Sequence, residues 1–309
     1  MVYIIFYYTK NMPIKNYKIT IQEKGLRTDI VCFDVFNFNS RSETIGAIKR
    51  GEITINNKSV KASKPVQIND VLSYTPQNGK ASKFKPYKIK LHILYEDSDI
   101  IVVNKPSNMV IHPSKGHIEN TLLNAVLHHC TDLKPIGGII QPGILHRLDK
   151  DTSGVVIMSK NHCAHVKLKK EFENNNIKKY YLAICANGGF SKDWQLIDLP
   201  IAPAHGNKMC VRFDSSAKTA KTKIRLDKNY GKLDLLECQL LTGRTHQIRV
   251  HLSHSGYPII GDNLYGGDPL IKRQALHCYK MQITHTNNQI LTFTAPTPPD
   301  FKTILSSLL

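Results

Sequence analysis

The chain has 309 residues, 41% hydrophobic and 21% charged, a balance that excludes an intrinsically disordered protein. A chain of this length buries roughly 75% of its unfolded surface, enough for one large domain and a small one. Lysine and arginine number 42 against 24 acidic residues, for a net charge of +18. Such a surplus attracts polyanions, usually nucleic acid or anionic membrane, although solubility or lysine-rich codon usage would give the same count.

No stretch reaches the roughly 18 apolar residues of a membrane span. The opening Val2-Tyr3-Ile4-Ile5-Phe6-Tyr7-Tyr8 is apolar but too short for a signal peptide and lacks a basic leader, and Met12 offers an alternative start. Residues 1–24 are read as an N-terminal extension. The seven cysteines (Cys32, Cys130, Cys163, Cys185, Cys210, Cys238 and Cys278) form no close C-x-x-C pair. An odd, dispersed set points away from a disulfide framework or zinc knuckle and toward buried thiols in a reducing cytoplasm.

Residues 25–76 read as a small mixed domain. Asn39, Ser40 and Ser42 offer N-cap chemistry for a helix over 43–49 that Gly51 ends. Ile53-Thr54-Ile55 and Ser59-Val60 flank Asn56-Asn57-Lys58, a tight hairpin signal. Residues 66–73 read as a further turn and strand. The polar, basic stretch 77–88 reads as a linker. Beyond it, from 89 to 309, strand-like runs (100–103, 155–158, 180–186, 233–241, 290–293) alternate irregularly with helix-like ones (121–129, 163–172). On the second helix Ala164, Leu168 and Phe172 share a face, with Lys167, Lys169 and Lys170 toward solvent. Irregular order without a repeat predicts an α+β fold.

The densest chemistry lies in Gly143-Ile144-Leu145-His146-Arg147-Leu148-Asp149-Lys150-Asp151-Thr152-Ser153-Gly154, just before an apolar strand. An isolated Arg-Leu-Asp triplet is more often a solvated turn than a catalytic loop. A second cluster, Thr242-Gly243-Arg244-Thr245-His246-Gln247-Ile248-Arg249-Val250-His251, reads as a tight turn opening a short helix over 246–253. Arg244 could grip a phosphate or carboxylate bidentately, or serve a structural ion pair. Weaker punctuation occurs at Asn104-Lys105-Pro106, at 261–266 and at 273–277. The fourteen histidines include no H-E-x-x-H pair, and there is no Walker loop, dinucleotide fingerprint or nucleophile elbow. No metal site is expected.

In this order and spacing, the segments resemble the RluA-type family of RNA pseudouridine synthases, with most similarity to its large-subunit ribosomal RNA members. The resemblance covers residues 89–309 and includes Tyr180-Tyr181-Leu182-Ala183. It implies the pseudouridine synthase fold, with a mixed, mostly antiparallel sheet. Residues 25–76 resemble an S4 RNA-binding domain through Ser40-Arg41-Ser42 and Ile48-Lys49-Arg50-Gly51, with the usual opening Arg-Leu-Asp blurred to Leu26-Arg27-Thr28-Asp29.

The resemblance places the catalytic aspartate at Asp149, the active-site tyrosine at Tyr181 and the basic partner of the aspartate at Arg244. Arg147 matches an arginine that helps hold a flipped-out base. His146, Lys105, Lys167 and Lys170 are expected to contact substrate, and Lys169, Lys178 and Lys179 lie close enough to grip phosphates. The implied reaction breaks the N1–C1′ bond of uridine, turns the base and forms a C5–C1′ bond. Nothing enters or leaves, so no cofactor is expected. A stacked uracil must be extruded first. A carboxylate acting there must stay ionised, which an adjacent Arg244 would favour. Whether Asp149 attacks C1′, attacks C6 or removes the 2′ proton stays open. The expected partner is large-subunit ribosomal RNA, met by a monomer. The competing readings are an RNA chaperone on a silent scaffold and a metal-dependent hydrolase. The joint presence of Asp149, Tyr181 and Arg244 argues against the first, and the missing ligand spacing against the second.

Overall fold

A computed structural model of the chain describes residues 15–36, 38, 41–75, 80–82, 84–113, 118–136, 139–140, 142–206 and 208–307. The chain divides into two compact units, one made of residues up to 82 with 134–141, the other of 83–133 with 142–309.

The first unit begins with β1 (Lys15–Lys18), α1 (Thr28–Val35), α2 (Arg41–Lys49), β2 (Ile53–Ile55), β3 (Lys58–Ser59) and β4 (Val71–Tyr74). Its antiparallel sheet runs β1-β4-β2-β3. Asn56 and Asn57 turn β2 into β3 at φ 50° and 62°, the left-handed pair that a two-residue hairpin demands. Val31 and Cys32 of α1, Phe36 just after it, and Ala47 and Ile48 of α2 bury with Ile53, Ile55 and Leu72. Asp29, fully buried, holds Arg27 and Arg41 at 2.9 Å each. The expected start at residue 25 falls inside this unit, because β1 supplies an edge strand paired with β4. Asn39 and Ser40 lie outside the described residues, and Ser42 stands within α2 rather than capping it.

The expected linker also contributes a strand. β5 (Lys80–Ala81) is followed by β6 (Ile93–Glu96), β7 (Ile100–Lys105) and α3 (Leu122–His129) of the second unit. The chain then makes the short hairpin β8 (Pro135–Ile136) and β9 (Ile139–Ile140), and β9 pairs parallel with β5. A two-residue strand leaves no periodicity to read, which is why 77–88 looks structureless in the sequence.

The second unit continues with β10 (Gly143–Ile144), β11 (Ser153–Ser159), α4 (His162–Glu173) and β12 (Lys178–Ala186). Next come β13 (Gln195–Asp198), β14 (Ile201–Pro203), β15 (Met209–Val211), β16 (Lys221–Asn229) and β17 (Leu233–Leu240). It closes with α5 (Gln247–His254), β18 (Leu276–Thr284), β19 (Ile290–Thr294) and α6 (Pro299–Ser307). One sheet runs β13-β16-β17-β12-β18-β11-β7-β6, with β10 added on β11 and β19 on β18. Its described pairings are antiparallel except β11 with β18, which gives the mostly antiparallel α+β fold expected. Every residue of β11 is buried, so this central strand reads as a continuous apolar run. Asn161 caps α4 by accepting the Ala164 N–H, and Ala164 and Leu168 turn inward. Among the described residues no helix is long and apolar enough to cross a membrane.

The parallel junction sits where the site is built. Ser153 and Gly154 pair with His277 and Cys278, and Gly154 adopts φ 117°. A Cβ there would stand 2.1 Å from the Cys278 carbonyl oxygen, so both conformation and space require glycine. Gly154→Ala is expected to cost about 2–4 kcal/mol of stability, measured by urea denaturation; an unchanged midpoint would show the junction to be compliant.

Candidate active site

Asp149 lies in the loop between β10 and β11, a loop clamped through its backbone. The Lys105 ammonium, fully buried, donates to the carbonyls of Pro106 (2.8 Å), Met109 (2.9 Å) and Lys150 (3.0 Å). Arg273 donates to the Asp151 carbonyl at 3.0 Å while its other nitrogens grip Asp300. Ser153 Oγ and His277 Nδ1 meet at 2.9 Å. Burial pulls Lys105 down to about 7, against the opposing pull of the Asp151 and Asp149 charges. Lys105 therefore shapes the loop and cannot reach a substrate, contrary to its expected role.

The Asp149 carboxylate meets a different arginine from the one expected. Arg249, in the first turn of α5, donates Nη1 to Asp149 Oδ2 at 3.0 Å. Its Nε and Nη2 hold Asp262 Oδ2 and Oδ1 at 2.7 and 2.8 Å. The ring of Tyr265 lies 5.0 Å from the guanidinium. Although burial opposes the charge, its two carboxylate partners, Asp262 foremost, hold Arg249 well above the usual arginine range. Arg244 is exposed and donates Nε to the Thr219 carbonyl at 3.0 Å. The reason is helical geometry: α5 starts after Arg244, and its first inward-facing arginine is Arg249.

The turn before α5 is fixed by Gln247, whose amide oxygen accepts from Thr242 Oγ1 (2.8 Å) and the Arg244 N–H (3.0 Å). His246 follows at φ 55°, an uncommon conformation for a residue other than glycine. Its Nε2 stands 3.9 Å from Asp149 Oδ1, and its Nδ1 lies 2.9 Å from the Tyr265 hydroxyl. That hydroxyl also accepts the Met209 N–H, which ties the histidine ring to β15. Burial lowers the His246 pKa and keeps the ring neutral.

Tyr181 enters from β12. It is 5% exposed, and its hydroxyl is hydrogen-bonded to the Cys278 thiol. Burial raises the phenol well above its ordinary value, with the charge of Asp149 adding to the effect.

A cavity of about 740 Å³ gathers these groups. Asp149, Tyr181, Arg147, Arg244, His146, His246 and Arg249 line it, as do Phe172, Lys169 and Lys179. His146, expected to contact substrate, lines the cavity as a wall whose Nε2 is turned to the backbone. Its Nε2 accepts the Ile157 N–H at 3.0 Å, its ring stacks on Phe172 at 4.9 Å, and burial drives it down to about 3. Lys167 is also spent internally, on the Thr286 carbonyl and Asn288 Oδ1 at 2.8 Å each. Lys170 is exposed on α4 outside the lining, where Lys169 takes the place expected of it. Sequence reasoning missed Arg249, Asp262 and His246, and the available signal was the helix itself, which sets Arg244 and Arg249 on different sides of its start.

Away from this cavity, Glu96, His129 and Cys130 bring possible metal-ligand atoms together. The Lys160 ammonium already sits on Glu96 and Asp132 at 2.8 Å each, where a cation would bind. Burial pushes the Cys130 thiol up to about 12, away from the thiolate a metal needs.

Residues 99–254 match the family model described as RNA pseudouridylate synthase. A protein of Bacillus subtilis named as an uncharacterized RNA pseudouridine synthase is 36% identical over 93% of this chain and 95% of its own length. The ribosomal large subunit pseudouridine synthase D of Zymomonas mobilis is 32% identical over 96% and 98%. The solved structure of human RNA pseudouridylate synthase domain containing 4 superposes with a TM-score of 0.56 at 24% identity, covering 70% of this chain and 92% of that one, a likeness of fold.

Two outcomes follow from the geometry. Arg249→Met leaves Asp262 buried without its partner and should cost about 3–5 kcal/mol in denaturant unfolding. A loss under about 1 kcal/mol would mean that the network is not rigid. Lys105→Met releases the Asp149 loop without touching a ligand. It should lower kcat by about 10²-fold, as for a misplacement of about 1 Å, with RNA affinity retained. Weakened binding at constant kcat would restore Lys105 to the substrate.

Proposed function

Because the chain belongs to the RluA-type family of RNA pseudouridine synthases, we propose that it isomerises uridines of large-subunit ribosomal RNA with Asp149 as the essential carboxylate. The observation that carries this reading is the asymmetric hold on Asp149. One oxygen is bound by Arg249 within a buried ion network, while the other faces His246 at 3.9 Å in the cavity. A carboxylate so held is oriented through one oxygen and presents the other, free, to a reacting carbon or proton.

The remaining roles follow from position. Tyr181, buried in the lining, offers the base a flat face. Its raised pKa keeps the hydroxyl protonated at rest, so it suits stacking and proton relay better than acting as a standing base. Arg147 and Arg244, both exposed and lining the cavity, suit backbone phosphates and the space vacated by an extruded base. Exposed Lys169, Lys170 and Lys178 extend that basic surface. The first unit, with its S4-like segments, supplies a second RNA-binding module, and the free cysteines fit a reducing cytoplasm. The ribosomal substrate is favoured by relatives such as the Zymomonas enzyme, whose name gives the large subunit as its target.

The test is incubation with large-subunit ribosomal RNA transcript and mapping by carbodiimide-blocked primer extension. Wild-type protein should produce discrete pseudouridine stops, and Asp149→Asn, close to isosteric, should produce none. Identical stops from both proteins would remove Asp149 from the chemistry. Blank lanes from both, with RNA bound, would favour the chaperone reading.

A further inference from the structure

Lys179, expected among the phosphate-gripping lysines, stands inside the cavity rather than on the basic surface around it. Lys179 is 8% exposed and lines the cavity. Among the described residues no carboxylate, carbonyl or hydroxyl meets its ammonium in an ion pair or hydrogen bond. Its recorded neighbours are the Phe172 ring, 5.8 Å from Nζ, and the close approach of Gly243. With no protein acceptor, an ammonium set this deep in the cavity wall is a ready partner for a negative group that enters the cavity.

Its place in the strand says which partner. Lys179 and Tyr181 are two residues apart in β12, both buried, and alternate residues of a strand project from the same face. The Cys278 thiol that bonds the Tyr181 hydroxyl also feels the Lys179 charge. Lys179 and Tyr181 therefore stand together on one wall of the cavity that Asp149 also lines. A nucleotide with its ribose at Asp149 and its base on Tyr181 extends the base's edge toward Lys179, while its phosphates stay with the ribose.

We propose that Lys179 binds the carbonyl edge of the uracil and neutralises the negative charge that the base acquires during isomerisation. This assignment rests on the uridine-isomerase reading. It holds for each route open to Asp149. If N1–C1′ cleaves with attack at C1′ or loss of the 2′ proton, the bonding pair stays on N1 and delocalises onto O2 and O4. If the carboxylate adds to C6, the C5–C6 pair moves into the O4 enolate. On the cleavage routes the base carries one negative charge until C5 bonds to C1′, after which the C5 proton leaves and N1 takes one up; on the addition route the charge sits on O4 before the glycosidic bond opens. An ammonium already in place, with little water to reorganise, lowers the barrier to that charge. Burial depresses the Lys179 pKa, and an anionic base would raise it again.

Lys179→Met and Lys179→Gln are compared with wild type on large-subunit ribosomal RNA transcript, with Lys179→Arg as the charge-preserving control. Both neutral variants should lose about 10²- to 10³-fold in kcat, as when one donor to a developing anion is removed. The arginine variant should recover part of the rate. RNA affinity and its salt dependence should not change, whereas a phosphate contact would flatten the log–log salt slope by about 0.7 and overturn the assignment. Transcript containing 5-fluorouridine separates charge stabilisation from structural damage. Fluorine withdraws electrons and stabilises the anionic base, so the deficit of Lys179→Met at bond cleavage should shrink. An equal deficit on both substrates would show that Lys179 is only structural. Thermal melts should show Lys179→Met at least as stable as wild type, since it removes an unpaired buried charge. Wild-type protein that forms no pseudouridine would defeat the family reading, whereas an active wild type with an equally active Lys179→Met defeats this inference alone.

Discussion

Arg249 carries its charge where little water reaches, and it is tolerated there because three of its nitrogens are taken by two carboxylates. The arrangement is directional. Asp262 is fully buried and also accepts the backbone N–H groups of Leu264 and Tyr265, so its position is set by the turn that follows β-bridged Ile259 and is independent of any ligand. It orients the guanidinium fork, and the fork's remaining nitrogen orients Asp149. A lysine would supply the charge without the geometry. Asp149 is thus the variable end of a rigid chain of ion pairs, and only a quarter of its side chain remains accessible.

The loop bearing Asp149 follows the same logic with its backbone. Lys105, at the end of β7, and Arg273, in the bend before β18, bond main-chain carbonyls on the residues just after the aspartate. Cations used this way leave the carboxylate free for other work, which a direct ion pair to each would not. They also change the meaning of the net charge. Lys105, Lys160, Lys179, Arg249 and Arg273 are all buried, so part of the basic surplus that suggests a polyanion partner is structural. The exposed remainder, including Arg147, Arg244, Lys169, Lys170 and Lys178, still lies around the cavity segments.

What the sequence made legible was mostly local. The paired asparagines of the β2–β3 turn, the apolar run of β11 and the inward face of α4 each leave a signal within a dozen residues, and each element formed. β16, β18 and α6 were not anticipated, because their burial depends on neighbours far away in the chain; β16, for example, is exposed at one end and buried at the other. The site divides along the same line. Asp149 and Tyr181 stand out through dense motifs, but the choice of Arg249 over Arg244 depends on how α5 faces a residue a hundred positions earlier. Lys105 shows the limit most clearly. Composition places a lysine on the surface, and only the three carbonyls converging on it make an interior position tolerable.

An isomerisation that releases nothing sets a particular demand on its site. Once the glycosidic bond opens, water competes with C5 for C1′, and a cavity open to solvent would become a nucleoside hydrolase. Part of the lining here is apolar and buried: Tyr181, Leu148, Ile248 and Leu276 face the cavity with little exposure, and burial lowers the pKa of His146 and His246 beside them. Of the charged groups that line the cavity, Arg249 and Lys179 are buried and Asp149 partly so, whereas Arg147, Lys169, Glu173 and Arg244 are exposed. Asp262 is set by its own backbone hydrogen bonds and Tyr181 is buried in β12, so the ionic anchor of Asp149 and the aromatic face of the cavity are both in place before a base enters, and neither has to be assembled at the moment the glycosidic bond opens.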